Sequence, residues 1–198
     1  MKPKPRTARI SRHTRETRID ADLSLDGRGR AAIDTGLPFL DHMLELVARH
    51  ALFDLRLRAR GDLKVDDHHT AEDLGLCLGQ ALDQALGDRR GIRRYGCATL
   101  PMDDALSRVA LDLGGRPYLV YQIANPRRKI KTFDLGLVEE LLRAFCVQGR
   151  MNLHVAQLYG RDPHHAYESV FKALARALRD AVALDPREPG IPSSKGTL

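Results

Sequence analysis

The segment DDHHTAE at residues 66–72 recurs in changed form as DPHHAYE at residues 162–168. Each copy holds two adjacent histidines followed by a glutamate, and each opens a stretch of apolar residues at helical spacing. Imidazole and carboxylate groups are common metal ligands, and their clustering at matched places indicates a functional site. Two such sets in a chain of 198 residues indicate a duplicated fold built around metal.

The first half of the chain shows the periodicities of both strands and helices. Alternating apolar and polar residues predict strands at residues 18–25 and 53–59. Apolar residues at helical spacing predict helices at residues 40–47 and 71–86, with Pro38 near the start of the first and Gly87 at the end of the second.

The second half repeats this order. Asp162 is a predicted N-cap and Pro163 a predicted first helical residue. Strands are predicted at residues 107–113, 119–123 and 151–155, and helices at residues 138–145 and 167–182.

We therefore predict an α+β fold made of two β-β-β-α-β-α halves, over roughly residues 6–90 and 91–185. The first half is assigned to residues 1–90 and the second, with a C-terminal tail, to residues 91–198. No low-complexity linker separates them, so they are expected to share one core in a single compact domain.

Helical geometry predicts two metals rather than one. His68 and Glu72 are four residues apart and lie on one helix face, as do His164 and Glu168. A histidine next to such a pair points about 100° away, so it is free to serve a second ion. Each ion is then expected to take a His/Glu pair from one repeat and a lone histidine from the other.

An internal alignment of the two halves adds two ligands, because it places Glu140 where the first half has His42. Eight groups would provide four ligands per ion and leave positions open for a substrate. They fit Mn, Fe, Co, Ni or Zn, and spacing alone does not choose among these metals. Solvated helix residues remain the alternative for His42 and Glu140. The predicted metal ligands are His42, His68, His69, Glu72, Glu140, His164, His165 and Glu168.

Composition narrows the class of partner. The formal charge of +6 permits an acidic ligand, but the arginines are scattered, aromatic residues make up 5%, and Trp is absent. These features favour a small phosphorylated ligand over nucleic acid. No apolar run is long enough for a membrane span, residues 1–6 lack a secretory signal, and Cys77 and Cys146 fall in helical apolar patterns. A reduced, cytoplasmic protein is expected.

Four stretches of the sequence are distinctive: GLPFLDHM at 36–43, VDDHHTAED at 65–73, LGGRPY at 113–118 and IPSSKG at 191–196. Together these motifs resemble those of the imidazoleglycerol-phosphate dehydratase family of histidine biosynthesis. The resemblance runs from about residue 6 to residue 198 and is to the monofunctional type. It implies removal of water from D-erythro-1-(imidazol-4-yl)glycerol 3-phosphate to give 3-(imidazol-4-yl)-2-oxopropyl phosphate.

The resemblance also implies a helix bundle between two four-stranded sheets, two Mn²⁺ per active site, and a 24-subunit homo-oligomer with active sites between subunits. Many family members carry His at the position of Glu140. Glu16 matches the family's substrate-contacting glutamate and is the candidate acid/base. Lys172 also shares the helix face of His164 and Glu168. The predicted substrate contacts are Glu16, His50, Arg94, Arg116, Lys172, Ser193, Ser194 and Lys195.

The proton to be removed lies on a carbon beside a hydroxyl group rather than beside a carbonyl group, so it is poorly acidic. The reaction therefore needs a group that accepts electrons. The substrate's imidazole can serve if cations hold both nitrogens. Three alternatives remain open: a dinuclear metallohydrolase, a metal-storage or metal-sensing shell, and a nucleic-acid binder. The storage or sensing shell has no need of Glu16, Arg116 or the Ser193–Lys195 tail.

Overall fold

The computed structural model describes residues 5–124 and 129–198. Residues 1–4, part of the segment considered above for a secretory signal, lie outside the described residues. The first half contains β1 (Thr7–His13), β2 (Thr17–Ser24), β3 (Ala31–Asp34), α1 (Pro38–Ala51), β4 (Asp54–Gly61) and α2 (His68–Leu86). The second half contains β5 (Tyr95–Met102), β6 (Ala105–Asp112), β7 (Tyr118–Gln122), β8 (Lys129–Ile130), β9 (Phe133–Asp134), α3 (Leu137–Gln148), β10 (Asn152–Tyr159) and α4 (Pro163–Val182).

The two halves form sheets of identical topology. The strand orders are β1-β2-β4-β3 and β5-β6-β10-β7, and in each sheet only the last pair is parallel. The register also matches, because Leu23 pairs with Leu55 in one sheet and Leu111 with Leu153 in the other. The predicted duplicated α+β fold with two four-stranded sheets is confirmed.

The β8–β9 pair is an addition to the second half that the sequence did not predict. It is a two-stranded antiparallel sheet of two residues per strand, lying between β7 and α3. Strands this short carry too little alternation of apolar and polar residues to be recognised from sequence.

The helices of one half pack on those of the other. α1 packs against α4, and α2 against α3, with one buried apolar cluster drawn from both halves. Gly75 and Gly79 permit the close approach of α2 to α3, because a Cβ atom at Gly79 would lie only 2.5 Å from the Phe145 carbonyl oxygen. Because each helix packs on a helix of the other half, side chains of α1 lie near those of α4, and side chains of α3 lie near those of α2.

Hydrogen bonds at the helix starts hold the backbone of the two His-His-x-x-Glu segments, residues 68–72 and 164–168, which we call the HHxxE segments. The Asp162 carboxylate accepts hydrogen bonds from the His164 and His165 amides, and Pro163 occupies the first turn, as predicted. The His68 amide donates instead to the Asp66 carboxylate, at 2.9 Å.

None of the helices in the described residues has the length and apolar character needed to cross a bilayer.

Candidate metal centre

Three potential metal ligands meet where α1 packs on α4. The Nε2 atom of His164 lies 3.2 Å from Oε2 of Glu168, one turn along α4, and Nε2 of His42 on α1 lies 3.6 Å from the same oxygen. The donor atoms of the three side chains lie within 4.8 Å of one another. We name His42, His164 and Glu168 the α1–α4 cluster; it joins a His/Glu pair of one half to a histidine of the other.

One carboxylate oxygen of Glu168 faces the two histidines, and the other contacts a lysine. Its side chain is buried, and Oε1 lies 2.7 Å from the Lys172 ammonium while Oε2 faces the two imidazoles. Burial on its own would raise the pKa of Glu168, but Lys172 and His42 more than offset that effect and lower the pKa. Glu168 is therefore an anionic oxygen donor at neutral pH.

The corresponding residues of α2 and α3 are more open. Nε2 of His68 lies 3.8 Å from Oε2 of Glu72, whose side chain is 50% exposed. Glu140 on α3 faces Arg143, with its Oε2 atom 3.8 Å from the Arg143 Nε atom. Within residues 5–124 and 129–198, the α1–α4 cluster is the one group of three such donors, so Glu140 does not join His68 and Glu72 in this structure.

The second histidine of each HHxxE segment is turned towards an aspartate. Nδ1 of His69 lies 3.1 Å from Oδ2 of Asp62, and Nδ1 of His165 lies 2.7 Å from Oδ1 of Asp104. These hydrogen bonds raise the pKa of both imidazoles. A carboxylate on Nδ1 fixes the ring orientation and leaves Nε2 to bind a metal.

Sequence analysis missed Asp62 and Asp104, and no spacing rule would have found them. Asp104 is 61 residues from His165 in the chain, and it reaches the histidine only because the β5–β6 turn lies over the start of α4. Asp104 also accepts hydrogen bonds from the backbone amides of Arg161 and Asp162, which lower its pKa strongly. It is therefore a charged and rigidly held partner.

Glu16 occupies the β1–β2 turn, over the start of α2. Its Oε1 atom lies 3.9 Å from Nε2 of His69, and its side chain is exposed. The structure thus brings the candidate acid/base next to a candidate metal ligand of the same half.

His50 and Lys172 lie close to the α1–α4 cluster, because Lys172 contacts Glu168 and the charges of both act on His50. Burial lowers the pKa of His50, and the nearby charges of Lys172 and Arg176 lower it further. His50 is therefore a neutral imidazole near a cationic side chain, a combination that suits contact with a polar ligand.

The remaining predicted substrate contacts lie at the other end of α4. The Arg94 guanidinium forms a two-point ion pair with Asp112, at 2.6 and 3.0 Å, and donates to the Pro192 carbonyl oxygen at 2.9 Å. The Arg94 amide donates to the Ala181 carbonyl oxygen. At ~1.5 Å per residue, this end of α4 lies roughly 25 Å from His164.

The C-terminal tail lies beside the same end. A Cβ atom added at Gly115 would be 2.7 Å from the backbone of Leu198, so the end of the tail lies against the residue preceding Arg116. Ser193 and Lys195 take part in a turn, in which the Lys195 amide donates to the Ser193 hydroxyl at 3.2 Å and Ser194 is exposed. Arg116 and the tail therefore lie together, far from the α1–α4 cluster of their own chain.

The α1–α4 cluster fits a divalent cation of intermediate hardness. Two imidazole nitrogens and one carboxylate oxygen suit Mn²⁺, Fe²⁺, Co²⁺ or Zn²⁺, and the described residues add no thiolate to the cluster. The three donor atoms already lie within 4.8 Å of one another. Three protein ligands leave coordination positions for a substrate.

The duplicated fold carries paired HHxxE helices, and relatives that match nearly the whole chain are dehydratases, so the chain is an enzyme of the hydro-lyase class. The sequence profile of the imidazoleglycerol-phosphate dehydratase family matches residues 35–178, and the chain belongs to this family. It is 54% identical to the imidazoleglycerol-phosphate dehydratase of Geobacillus kaustophilus over 193 residues, 98% of this chain and 99% of the relative. It is 57% identical to that of a Methylorubrum extorquens strain over 98% of this chain and 100% of the relative.

Solved structures agree with this assignment. Imidazoleglycerol-phosphate dehydratase from Staphylococcus aureus subsp. aureus N315 superposes with a TM-score of 0.82 at 36% identity, covering 90% of this chain and 99% of that one. The enzyme from Pyrococcus furiosus, in complex with (S)-C348, gives 0.83 at 34% identity, covering 96% and 100%. The predicted family and the predicted enzyme class are confirmed.

Proposed function

We propose that the protein removes water from D-erythro-1-(imidazol-4-yl)glycerol 3-phosphate, giving 3-(imidazol-4-yl)-2-oxopropyl phosphate in histidine biosynthesis. The observation that carries the proposal is the α1–α4 cluster, a preassembled imidazole–carboxylate donor set in a chain of this family. A cytoplasmic location belongs to the same proposal and is supported by the buried free thiols of Cys77 and Cys146.

Two Mn²⁺ ions per active site are part of the proposal. His42, His164 and Glu168 would hold one ion, and His68, Glu72 and Glu140 the other. His69 and His165, each oriented by an aspartate through Nδ1, would each add Nε2 to an ion. When bound, the two cations supply Lewis-acid polarisation of the substrate imidazole, which makes the ring an electron acceptor.

Glu16 is assigned the proton transfer. In the proposed reaction the C2–H proton passes to the Glu16 carboxylate, the bond from C1, the carbon attached to the imidazole, to its hydroxyl oxygen breaks, and the hydroxide leaves as water after taking up a proton. The remaining enol becomes the ketone. A carboxylate on an exposed turn beside His69 can reach a bound ligand without a change in the core.

Substrate binding is assigned to charged and polar side chains in two places. Lys172 and His50 lie near the α1–α4 cluster, whereas Arg94, Arg116, Ser193, Ser194 and Lys195 lie at the far end of α4. A separation of roughly 25 Å is too long for one small substrate to bridge within one chain. This distance supports active sites assembled between subunits of a homo-oligomer, for which we propose 24 subunits.

The direct test is an assay of purified protein with Mn²⁺ and imidazoleglycerol phosphate. The proposal expects the ketone product, its loss after chelation, and its recovery when Mn²⁺ is restored. Glu16→Gln should keep metal content and assembly while lowering turnover by roughly 10²-fold or more. Release of inorganic phosphate without ketone would point to a metallohydrolase, and metal binding without turnover would point to storage.

A further inference from the structure

Asp73 links the metal-ligand helix α2 to the turn that carries Glu16. The residue is only 7% exposed, its Oδ2 atom accepts a hydrogen bond from the Thr17 hydroxyl at 2.5 Å, and its Oδ1 atom lies 2.9 Å from the Arg12 guanidinium. Thr17 follows Glu16 directly and is also buried. One buried carboxylate therefore holds both strands of the β1–β2 hairpin.

The turn itself is internally fixed. The Thr14 hydroxyl accepts hydrogen bonds from the Glu16 amide at 3.1 Å and the Thr17 amide at 2.9 Å, and the Thr14 amide donates to the Thr17 carbonyl oxygen. Because the turn is fixed, anchoring Thr17 to Asp73 also fixes the backbone of Glu16.

The anchor lies on the helix face that faces the turn. Asp73 is four residues beyond His69, so their side chains share one face of α2. Thr17 contacts Asp73 while Glu16 lies 3.9 Å from Nε2 of His69. The distance between the candidate base and the candidate ligand therefore depends on the hydrogen bond between Thr17 and Asp73.

The second half has an uncharged contact at the corresponding place on its helix. Ser169 occupies the position of Asp73, and its hydroxyl pairs with Ser107 at 2.7 Å rather than with a charged group. The turn above it carries Asp104, which is held by His165. The two halves thus differ in the residue that follows the HHxxE glutamate, which is Asp73 in one and Ser169 in the other. They also differ in the turn over the helix, which carries Glu16 in the first half and Asp104 in the second.

We propose that Asp73 is a positioning residue that acts through Thr17 to hold the Glu16 carboxylate in its working place. The inference rests on the proposed function, in which Glu16 accepts the C2 proton. A charge-assisted, buried hydrogen bond suits this role because a displacement of about 1 Å at a reacting group can lower turnover as much as 10²-fold.

A double-mutant cycle with Glu16→Gln tests the inference in the Mn²⁺-loaded protein. Asp73→Asn and Thr17→Val are close in size to the native side chains, and each removes part of the anchor. We expect each to lower kcat about tenfold while KM stays within about twofold, since an interaction made only in the transition state is weakened. Bound Mn²⁺ per subunit should equal that of the wild type.

In the Glu16→Gln background, Asp73→Asn should lower kcat less than about twofold, because a residue that acts through Glu16 has nothing left to position. Ser169→Ala is the matched control. It removes the corresponding buried contact of the other half and should leave kcat within about twofold.

Three results would overturn the inference. Wild-type kcat in both Asp73→Asn and Thr17→Val would show that the anchor has no effect on turnover. An equal loss from Asp73→Asn with and without Glu16 would show that Asp73 acts independently of Glu16. Normal turnover of Glu16→Gln alone would remove Glu16 from the mechanism, a failure of the proposed function that is visible without the cycle.

Discussion

The Nε2 atom of His42 lies 3.6 Å from Oε2 of Glu168, although the two residues belong to different halves of the duplicated chain. Their proximity follows from the packing of α1 on α4. The matching pair of helices, α3 and α2, does not bring Glu140 equally close to its partners. The two metal positions are therefore expected to differ in affinity.

Mn²⁺ titration is expected to show a tight and a weak class of site. His42→Ala should weaken Mn²⁺ binding at the tight class by at least roughly 10–100-fold. That is the loss of affinity seen when a residue that only orients a metal ligand is removed, and His42 is a ligand itself. Glu140→Gln should weaken only the other class, because Glu140 lies apart from the α1–α4 cluster. Equilibrium dialysis with elemental analysis measures both. A loss of the tight class in Glu140→Gln would contradict the assignment.

Asp104 is expected to control the pH dependence of metal binding. Its carboxylate raises the pKa of His165, and protons compete with metal for Nε2, so Mn²⁺ affinity should fall as the pH falls through that raised pKa. Asp104→Asn lowers the pKa of His165 towards its ordinary value, so the midpoint of this loss should move to lower pH.

The same variant should also bind Mn²⁺ about tenfold more weakly at pH ~8, because the ring is no longer oriented. Free Mn²⁺ measured by electron paramagnetic resonance across pH gives both quantities. Asp103→Asn is the comparison, because Asp103 also raises the pKa of His165 but lies 3.5 Å from Nε2 and does not orient the ring through Nδ1. An unchanged midpoint in Asp104→Asn would rule out the role.

Most of the fold could be predicted from the sequence because its signals are local. Alternation along residues 18–25 and 107–113 marks strands, and the N-cap Asp162 with Pro163 marks the start of α4. The duplication was visible because the HHxxE segments repeat. Strands β1, β3 and β5 were counted in the predicted order but not located, and the β8–β9 pair was missed, because two-residue strands have no period to detect.

The site was predictable only as far as helix geometry reaches. His164 and Glu168 are four residues apart, and their contact follows from one turn of helix. The contacts of Asp104 with His165 and of Asp73 with Thr17 depend on where a turn lies over a helix, across 61 and 56 residues of chain. No residue spacing encodes such contacts.

Gly79 should be essential for the packing of α2 on α3. A Cβ atom there would lie 2.5 Å from the Phe145 carbonyl oxygen, so Gly79→Ala forces the helices apart. We expect it to lower the free energy of unfolding by about 1–3 kcal/mol, as overpacking does. Gly190→Ala is the control, since its Cβ would meet only the flexible Glu188 side chain at 3.5 Å. Chemical denaturation that finds equal stabilities would refute this packing.

The tail and Arg94 should act together in substrate binding. Deleting residues 191–198 should raise KM by at least about tenfold, the loss expected for hydrogen bonds to a charged phosphate. Arg94→Met should raise KM in the same direction, because it removes the contact with Pro192. Steady-state kinetics distinguishes an effect on KM from one on kcat. A KM unchanged by the deletion would exclude the tail from substrate binding.

The most direct test of the whole account is a crystal structure of the Mn²⁺-loaded protein with anomalous scattering from manganese. The account predicts one manganese peak within coordination distance, about 2–2.5 Å, of His42 Nε2, His164 Nε2 and a Glu168 oxygen. A second peak should lie beside His68 and Glu72. Manganese bound elsewhere, with these side chains far from any ion in every neighbouring subunit, would contradict it.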